Sequence, residues 1–510
     1  MAQLTERPFP PGSYELVVVG SGPGAMQLTY SLRSLGIEHA VISEDEGPGG
    51  MFRRWPIFQR MLSWTKPYAE HPRGSREYER YDWNSLLADD EEHRAIVPTV
   101  MDGTSYFPSR PEMENGLVKF AESTGLAVRY GCHWEATRRL DDGRFVLETS
   151  DGEYLARTVV FAVGVAEPWR PPMLEIEGVQ QYNSIRPAES YIDKRVFIVG
   201  KQNSGFEIAT ALLPWARQIV LASPSKTQLS VQTRSLAGVR ARYVQPFEDW
   251  ALAGGVLILD ASIEKVTRDG EVFQVMTKSP TEESPRRFTV DVVIAATGFV
   301  TPLRDLSKVG VATFGHSVLP AQTPFWRSAT VEGIYFAGTI MQGAQGLRKH
   351  GIPSNSGAVQ GYRYNARVLA RHIATERFGK KPERHSLRAD DVIPFLLREA
   401  SRGPELWHQR SYLVRVVSVD PNGGIADEGI LPLAHFVDDE EGPDAVAVAL
   451  ESNGLDDPYP AVYVRRRGQI PKEHTFAPES QLNFEGPEYR RQLADALEAI
   501  LGRAAARASG

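Results

Sequence analysis

Two stretches of the sequence pass from a run of apolar residues directly into closely spaced glycines. In the first, Leu16–Val19 lead into the segment Gly20-Ser21-Gly22-Pro23-Gly24-Ala25. Gly20 permits a tight turn, Gly22 lets the backbone approach a pyrophosphate, and Ala25 takes the third place of G-x-G-x-x-G/A, where a helix packs on a strand. The amides and the dipole at the start of that helix favour a phosphate. The segment therefore predicts a dinucleotide site.

Residues downstream of this segment extend the predicted site. A second strand, Ala40–Ile42, ends at Ser43 and Glu44, close to the spacing of a carboxylate that binds a ribose. Glu44 is the acidic candidate, although a strict count puts Ser43 in that place. The following loop has a glycine pair and then bulky side chains, which suits a loop that passes close to a large ligand. Its candidate contacts are Gly50, Met51, Phe52 and Trp55.

The second stretch runs from the strand Arg195–Val199 into Gly200-Lys201-Gln202-Asn203-Ser204-Gly205. Strand, turn and helix follow in the right order, but Gln202 stands where the second glycine belongs, and its side chain is expected to crowd the phosphates of a dinucleotide. After the next strand the carboxylate that binds a ribose diol is missing, and the residues there are Ser223, Ser225 and Lys226. Hydroxyls and a lysine suit a 2′-phosphate, so NADPH is preferred to NADH. A plain surface lysine is the alternative.

Further strands of the same kind end in glycine. One closes the first unit at Gly164, and another closes the second unit at Thr297 and Gly298. This arrangement amounts to a weak internal repeat. The next strand ends at Gly338, and a helix that starts near Ser356 is expected to offer its amides to the polar edge of a ligand.

Shorter signals predict the elements between these motifs. Strands are expected at Ala127–Tyr130 and Phe145–Thr149, and Asp82 is in the position of an N-cap for a helix that follows it. From about residue 382 charged and apolar segments alternate, and the stretch Tyr489–Ala506 predicts an amphipathic helix. This last part contains no catalytic constellation, which favours a capping or association domain.

Length and composition limit the function classes. A chain of 510 residues is long enough for two or three domains. The formal net charge of −7 disfavours a nucleic-acid partner, and no apolar run approaches membrane-spanning length. The first residues lack the layout of a signal peptide, so a cytoplasmic location is expected. Cys132 is the only cysteine, which excludes an internal disulfide, a CxxC redox pair and a cysteine zinc site. The histidines show no ligand spacing, so no metal is predicted.

These elements predict an α/β fold with two Rossmann-like dinucleotide-binding domains and a C-terminal α+β extension. The second domain is expected to be inserted in the first, because the helix that starts near Ser356 should return the chain to the first domain. The expected limits are 1–165 and 326–385 for the first domain, 166–325 for the inserted domain and 386–510 for the extension.

The two units, the Ala-Thr-Gly strand end and the strand before Gly338 resemble the two-dinucleotide-binding flavoproteins. The glycine loop that runs to Pro56 is most similar to that of flavin-containing monooxygenases and N-hydroxylases. Within that group, three segments resemble the FAD-dependent oxidoreductase domain-containing subgroup in order and spacing, over about residues 14–375. They are Asp82-Trp83-Asn84-Ser85-Leu86-Leu87, Tyr106-Phe107-Pro108 and Gly361-Tyr362-Arg363-Tyr364.

The resemblance implies FAD on the first glycine segment, Glu44 and Gly50, with the flavin end near Gly338 and the Ser356 helix, and NADPH on Gly200–Gly205. It also implies that NADPH reduces FAD, that oxygen adds to give a C4a-hydroperoxyflavin, and that one oxygen atom passes to a small nucleophilic metabolite, most simply an amine nitrogen. A small-molecule substrate and molecular oxygen are thus the expected partners, and a homo-oligomer stays open.

Four polar residues are the candidates for catalysis. Thr65, Lys66 and Asn84 are expected close to the flavin. His350 is in a loop expected near it, where it could act as an acid or be a solvated loop histidine. The sequence departs from the monooxygenase pattern at Ile176–Tyr182, which lacks the histidine of F-x-G-x-x-x-H. This departure favours a second function, an NAD(P)H:acceptor oxidoreductase without oxygen transfer. Gln202 and the long C-terminal extension favour a third, a flavin-binding adaptor protein.

Overall fold

The computed structural model describes residues 7–56, 58–230, 238–250, 255–303, 305–381, 383–454 and 456–508. The strands of its first sheet that come early in the chain are β1 (Gly12–Val19), β2 (Ala40–Ile42), β3 (Trp134–Arg139), β4 (Phe145–Thr149) and β5 (Gly152–Phe161). Strand β1 pairs in parallel with β2 and β5, and β4 and β3 add antiparallel strands beyond β5. Helix α1 (Pro23–Ser34) follows the glycine turn after β1, and α2 (Arg110–Ser123) lies between β2 and β3.

Two of the shorter sequence predictions are wrong in this unit. Ala127–Tyr130 is not a strand and makes an isolated bridge between Arg129 and Ile42. Asp82 accepts hydrogen bonds from the amides of Asn84 and Ser85, at 3.1 Å each, but it caps a turn and no α-helix follows it. The aspartate satisfies these amides locally, and such local bonds compete with helix formation.

The second unit contains a further set of strands and helices. They are β6 (Glu167–Pro168), β7 (Gln180–Gln181), β8 (Arg195–Val199), α3 (Asn203–Leu212), β9 (Gln218–Ser223), α4 (Ala241–Trp250), β10 (Val256–Asp260), β11 (Ser262–Asp269), β12 (Val272–Lys278), β13 (Arg286–Val290), β14 (Val292–Ala295) and β15 (Phe299–Val300). The second glycine segment follows β8 in a parallel sheet of order β10-β9-β8-β14-β7, as the first glycine segment follows β1 in the first sheet. Strands β11, β12 and β13 form a separate antiparallel sheet, and β6 pairs with β15.

The chain then returns to the first sheet. After β16 (Thr313–Phe314) and β17 (Leu319–Pro320), strand β18 (Ile334–Phe336) pairs in parallel with β5, with Ile334 opposite Val159. Helix α5 (Val359–Phe378) packs against α1. The second unit is therefore inserted in the first, as the sequence predicts, while the residue limits of the domains stay predictions.

The remaining chain forms the predicted α+β extension. Its strands make one antiparallel sheet of order β19-β21-β20-β22-β23-β24. The elements are β19 (His385–Ser386), α6 (Ala389–Arg402), α7 (Pro404–His408), β20 (Leu413–Val419), β21 (Ile425–Pro432), α8 (Leu433–Asp438), β22 (Asp444–Glu451), β23 (Tyr459–Arg465), β24 (Lys472–Thr475) and α9 (Pro487–Ala508). Helix α9 confirms the predicted C-terminal helix.

The extension packs on the first unit through a shared core. Leu369 on α5, Leu396 on α6 and Val448 on β22 belong to one buried apolar cluster. Arg76 of the first unit adds ion pairs of 2.7 Å to acidic residues on α6 and α7. Among the helices that the structure describes, none combines the length and the apolar character that a membrane crossing requires.

Candidate active site

One cavity of about 1480 Å³ lies at the carboxyl ends of strands in the first sheet, and all three parts of the chain border it. The first unit contributes the turn after β1 and the segments after β2 and β5. The second unit contributes the start of α3, and the extension contributes residues between α7 and β20. Representative lining residues are Gly20, Ser43, Gly164, Asn203 and Arg410. Open α/β sheets bind their ligands at this edge.

The glycines of the first segment have different roles. Gly20 has a φ of +123°, and a Cβ there would lie 2.6 Å from the carbonyl oxygen of Ala162. A Cβ on Gly24 would lie 2.2 Å from Cα of Gly338. Close packing therefore requires glycine at both Gly20 and Gly24. A Cβ on Gly22 would meet no described atom within 4 Å, and this residue lines the cavity. A ligand can therefore approach the backbone at Gly22.

The start of α1 suits a negatively charged group. The helix begins after Gly22 without a side-chain cap and has Pro23 in its first turn. Its first amides keep hydrogen-bonding capacity toward the cavity, and the helix dipole adds a partial positive charge there. Ala25 is buried beneath this turn and is not part of the cavity wall. The arrangement can bind a diphosphate without a cationic side chain.

Polar side chains after β2 form one hydrogen-bonded group with the glycine turn. Asp45 accepts a hydrogen bond of 2.8 Å from the hydroxyl of Ser21. Ser43 donates to the same hydroxyl at 2.9 Å. Ser21, Ser43 and Asp45 all line the cavity. The two serines were predicted from the sequence, whereas Asp45, one residue after the predicted acid Glu44, was not.

Glu44 lies closer to the surface of the same wall. It pairs with Arg54 at 2.6 Å and with His133 at 2.8 Å. Burial opposes ionisation of Glu44, but the hydrogen bonds and charges of these two partners keep its pKa below the ordinary value. It is therefore an ionised acceptor near neutral pH. The loop residues predicted to contact the ligand also line the cavity, namely Gly50, Met51, Phe52 and Trp55.

A buried amide without a partner borders the same cavity. Gln360, in the first turn of α5, is fully buried, and neither its Oε1 nor its Nε2 has a hydrogen-bond partner among the described residues. Gln59 Oε1 and Arg240 Nε, which also line the cavity, lack partners among the described residues as well. Buried polar atoms of this kind are available to hydrogen-bond a ligand in the cavity. An amide presents a donor beside an acceptor, which matches the pyrimidine edge of a flavin.

The second glycine segment keeps its first and third glycines for packing. Gly200 has a φ of +115°, and a Cβ there would lie 2.2 Å from the carbonyl oxygen of Ala296. A Cβ on Gly205 would lie 2.3 Å from the carbonyl oxygen of Gly200. Asn203 and Ser204, in the first turn of α3, line the cavity. The start of α3 therefore faces the same space as the start of α1.

Other residues predicted to bind the second nucleotide lie outside the cavity wall. Gln202 is the N-cap residue of α3, and its exposed side chain does not cap the helix. The Thr297 hydroxyl and the Gly298 carbonyl bond to the backbone of Trp169, which fixes the crossover between the units. The residues predicted to bind the 2′-phosphate are at the end of β9 and beyond it, with two of the three exposed. They are Ser223, Ser225 and Lys226.

The candidates Thr65 and Asn84 form a buried polar network behind the cavity wall. Asn84 donates to Oγ1 of Thr65 at 3.1 Å, and Thr65 donates to Oδ1 of Asp82 at 2.8 Å. Within this network Ser63, which donates to Oδ1 of Asn84 at 2.5 Å, lines the cavity. Lys66 is exposed and outside the wall. Asn84 therefore connects Ser63, on the cavity wall, with Thr65 behind it, and the catalytic role of Thr65, Lys66 and Asn84 stays a prediction.

His350 and Ser356 have different places in the loop before α5. His350 lines the cavity, and its Nε2 lies 3.0 Å from Oη of Tyr459 in the extension. The Ser356 hydroxyl is fully buried and accepts hydrogen bonds from Asn365 at 2.9 Å and Gln409 at 3.1 Å. Ser356 thus fixes the loop to the extension. In the described part of the chain no group of three or more His, Cys, Asp or Glu side chains is arranged to hold a metal ion.

Glu207 is a titratable group that the sequence analysis missed. This buried side chain on α3 accepts hydrogen bonds from Tyr182 at 2.6 Å and Tyr243 at 3.2 Å, and from the backbone amide of Arg60 at 3.3 Å. Burial raises the pKa of Glu207 to about 7. Since Arg60 belongs to the first unit, this carboxyl joins the two units at the cavity wall.

The family profile of pyridine nucleotide-disulphide oxidoreductases matches residues 17–338, from β1 to the turn after β18. The chain belongs to this family. The matched residues include both glycine segments and end where the chain has returned to the first sheet. Membership in this family supports the two predicted cofactors, FAD and NADP(H).

Two curated relatives are named FAD-dependent oxidoreductase domain-containing protein 2, which confirms the predicted resemblance. The protein from Danio rerio is 32% identical over 238 residues, which are 45% of this chain and 33% of that protein. The protein from Mus musculus is 24% identical over 438 residues, which are 79% of this chain and 64% of that protein. The match thus spans less than two thirds of either relative.

Solved structures share the two-domain flavoprotein fold at low sequence identity. Bacillithiol disulfide reductase from Bacillus cereus has a TM-score of 0.56 and 19% identity, covering 72% of this chain and 100% of that chain. Ornithine N-hydroxylase from Kutzneria sp. 744 has a TM-score of 0.53 and 17% identity, with the same coverage of 72% and 100%. Both likenesses concern the fold and confirm the predicted fold class.

Proposed function

We propose that the protein is an NADPH-dependent flavin monooxygenase that transfers one atom of molecular oxygen to a small nucleophilic metabolite, most simply by N-hydroxylation of an amine. The observation that carries this proposal is the single cavity bordered by the starts of both α1 and α3. Two cofactors bound there can meet. With one cysteine in the sequence, the chain has no dithiol pair to accept the electrons. An acceptor from solution, such as oxygen, takes that role, and the likeness to an N-hydroxylase favours an amine.

The chain's own groups account for binding. FAD, when bound, supplies electron transfer between a nicotinamide and an acceptor. In our proposal the backbone at Gly22 and the first amides of α1 bind its diphosphate, Glu44 binds the ribose, and Gln360 binds the flavin edge. The proposed contacts to NADPH at the start of α3 are Asn203 and Ser204. Its 2′-phosphate is assigned to the exposed residues after β9, as the sequence predicts.

Three aromatic rings form a cluster on the wall of this cavity. The ring of Tyr182 lies 5.9 Å from that of Trp55 and 5.5 Å from that of Phe299, measured between centroids. All three rings line the cavity between the units. Apolar rings in that position exclude water, which protects reduced and oxygenated species from side reactions. A monooxygenase needs this protection more than a simple reductase does.

An NAD(P)H:acceptor oxidoreductase without oxygen transfer is the second candidate. The segment Ile176–Tyr182 lacks the monooxygenase histidine, and Gln202 replaces the second glycine. A flavin-binding adaptor is the third candidate, because the extension is long enough to recruit a protein. The cytoplasmic location, the possible homo-oligomer and the domain limits at residues 165, 325 and 385 stay proposals.

Oxygen transfer itself is the test of the proposed function. FAD-loaded protein is incubated with NADPH, oxygen-18 gas and a panel of amines, diamines and amino acids, and the products are weighed by mass spectrometry. We expect one amine to gain a single labelled oxygen atom, with NADPH consumed in excess of hydrogen peroxide released. NADPH consumption matched by peroxide with every amine would contradict the monooxygenase and favour the second candidate. No consumption by the FAD-bound protein would favour the adaptor.

A further inference from the structure

We propose that the C-terminal extension supplies an anion-binding subsite in the cavity, in which Arg410 binds a carboxylate of the substrate. The inference rests on the proposed function, because it names the substrate class for the same cavity. That class is a small organic acid that also carries the group to be oxidised. The subsite is a feature of the extension, because the binding of the two nucleotides does not require it.

Arg410 has a charge that no carboxylate neutralises in the described part of the chain. The residue follows α7, lines the cavity, and its Cζ lies 4.6 Å from the ring centroid of Trp407. Burial and the nearby guanidinium of Arg80 both lower the pKa of Arg410, and no acidic group offsets them. A partly buried cation beside another cation is unfavourable unless an anion joins them. A bound anion completes this arrangement.

A second guanidinium with neutral partners lines the same cavity. Arg348, in the loop before α5, contacts the amide oxygen of Gln345 and the carbonyl oxygen of Gly351, at 3.4 Å each. Its neighbour Lys349 differs, because two carboxylates pair with it, that of Glu451 at 2.8 Å and that of Glu473. Among the described residues, no carboxylate forms an ion pair with Arg348 or Arg410.

The segments that carry the two arginines contact each other. A Cβ on Gly346 would lie 2.7 Å from the ring of Tyr412, which shows how closely the loop packs on the segment after α7. The backbone amide of Asn355 donates to Oε1 of Gln409 at 3.0 Å, one residue before Arg410. The subsite is thus formed where the loop before α5 meets the extension.

The backbone at this wall is held in a costly conformation. Arg348 has a φ of +47° and Ser411 a φ of +55°, values that residues with side chains adopt at a cost. The amide of Ser411 donates to the carbonyl of Leu450 at 3.0 Å, which holds the turn in place. Ser411 and Ser452 also line the cavity and can add hydroxyl donors. The surrounding structure maintains strain at the residues assigned to the anion.

The subsite is distinct from the proposed diphosphate site at the glycine turn. Gln409 donates to the hydroxyl of Ser356, just before α5, and Gln360 is in the first turn of that helix. The segment that carries Arg410 therefore contacts the start of α5, where Gln360 is assigned to the flavin. A guanidinium can bind a carboxylate through two parallel hydrogen bonds, which fixes the orientation of a small molecule. The rest of that molecule can then point toward the flavin.

The test compares an acid with its neutral isostere on the oxidised, FAD-loaded protein. Butyrate and butyramide are titrated separately, and the perturbation of the visible flavin spectrum is followed. We expect saturable binding of butyrate and at least about tenfold weaker binding of butyramide. Arg410→Gln should weaken butyrate by at least about tenfold, and Arg410→Lys should weaken it less. Arg402→Gln, at an exposed side chain on α6 of the same extension, is the matched control and should change neither affinity.

Equal affinities for the acid and the amide would overturn the proposal. No saturable response to butyrate would also overturn it, as would unchanged butyrate binding by an Arg410→Gln variant that retains FAD. If neither Arg410 variant folds, as judged by circular dichroism and FAD content, the comparison of butyrate with butyramide on the natural protein decides. The assay uses neither NADPH nor oxygen, so its outcome does not depend on whether the protein transfers oxygen.

Discussion

At Gly22 the packing of the fold tolerates a larger side chain, whereas the proposed FAD site requires glycine. A methyl group on Gly22 meets no described atom within 4 Å, and its φ of −73° suits any residue. We therefore expect Gly22→Ala to change the unfolding free energy of the FAD-free protein by less than about 1 kcal/mol. The same methyl group enters the space assigned to the diphosphate, so the affinity for FAD should fall at least about tenfold. Calorimetric titration of the FAD-free protein with FAD measures this.

The matched control for that substitution is Gly12→Ala at the start of β1. A Cβ there would lie 3.8 Å from the carbonyl oxygen of Pro10, an ordinary contact far from the cavity wall. This variant should keep both stability and FAD affinity. Unchanged FAD binding by Gly22→Ala would show that the diphosphate does not lie against this turn.

Site residues whose roles depend on neighbours in the sequence could be predicted, and those whose roles depend on distant residues could not. The roles of Gly20 and Gly22 follow from the geometry of a single turn, so their spacing predicts them. Glu207 and Arg410 gain their environments from partners distant in the chain, such as Tyr182 and Arg80. No short motif encodes such neighbours. Their place at the cavity therefore required the folded chain.

At the scale of elements, Glu207 joins α3 of the second unit to the loop around Arg60 of the first. Its ordinary pKa is 4.5, and burial raises it to about 7. Between these pH values the folded protein keeps a proton that the unfolded chain has lost. This carboxyl is therefore most favourable to folding below its unfolded pKa, and that contribution is lost as the pH rises through about 7. The contact between the two units should weaken over the same range.

Glu207→Gln removes the titration and keeps the size of the side chain. The unfolding free energy of the variant relative to the natural protein should rise by about 2–3 kcal/mol between pH 5 and pH 8, as measured by urea unfolding. Glu153→Gln, an exposed substitution on β5, should give a difference that does not change with pH. A pH-independent difference for Glu207→Gln as well would mean that this carboxyl is ionised throughout.

The elements that the sequence predicts well are those with local signals. Strands β4 and β8 match the predicted ranges, because buried strands of the nucleotide units read as compact apolar runs. Ala127–Tyr130 makes only a single bridge, from Arg129 to Ile42 of β2, and so does not form a strand, since strand formation depends on pairing with distant residues. The order of the strands in the extension also depends on pairing between distant residues. The alternating charged and apolar segments therefore predicted α and β elements there but not their arrangement.

At the scale of the whole molecule, three parts of the chain form one cavity. The sequence predicted the two nucleotide units, because each glycine segment indicates a strand before it and a helix after it. It also predicted that the second unit is inserted in the first. It assigned the extension a capping or association role. The structure places Arg410, Ser411 and Ser452 of the extension on the cavity wall. The extension is thus part of the candidate site as well as of the core.

FAD and NADPH must meet in this cavity if both glycine segments bind their nucleotides as proposed, and anaerobic reduction of the flavin shows whether they do. FAD-loaded protein is mixed with NADPH or NADH without oxygen, and the visible absorbance of the flavin is followed by stopped flow. We predict saturable bleaching by NADPH in preference to NADH. Gly200→Ala, whose Cβ would lie 2.2 Å from the Ala296 carbonyl oxygen, should abolish bleaching while FAD stays bound. If dithionite bleaches the flavin of the natural protein but NADPH leaves it oxidised, the proposal that the two cofactors meet in this cavity is contradicted.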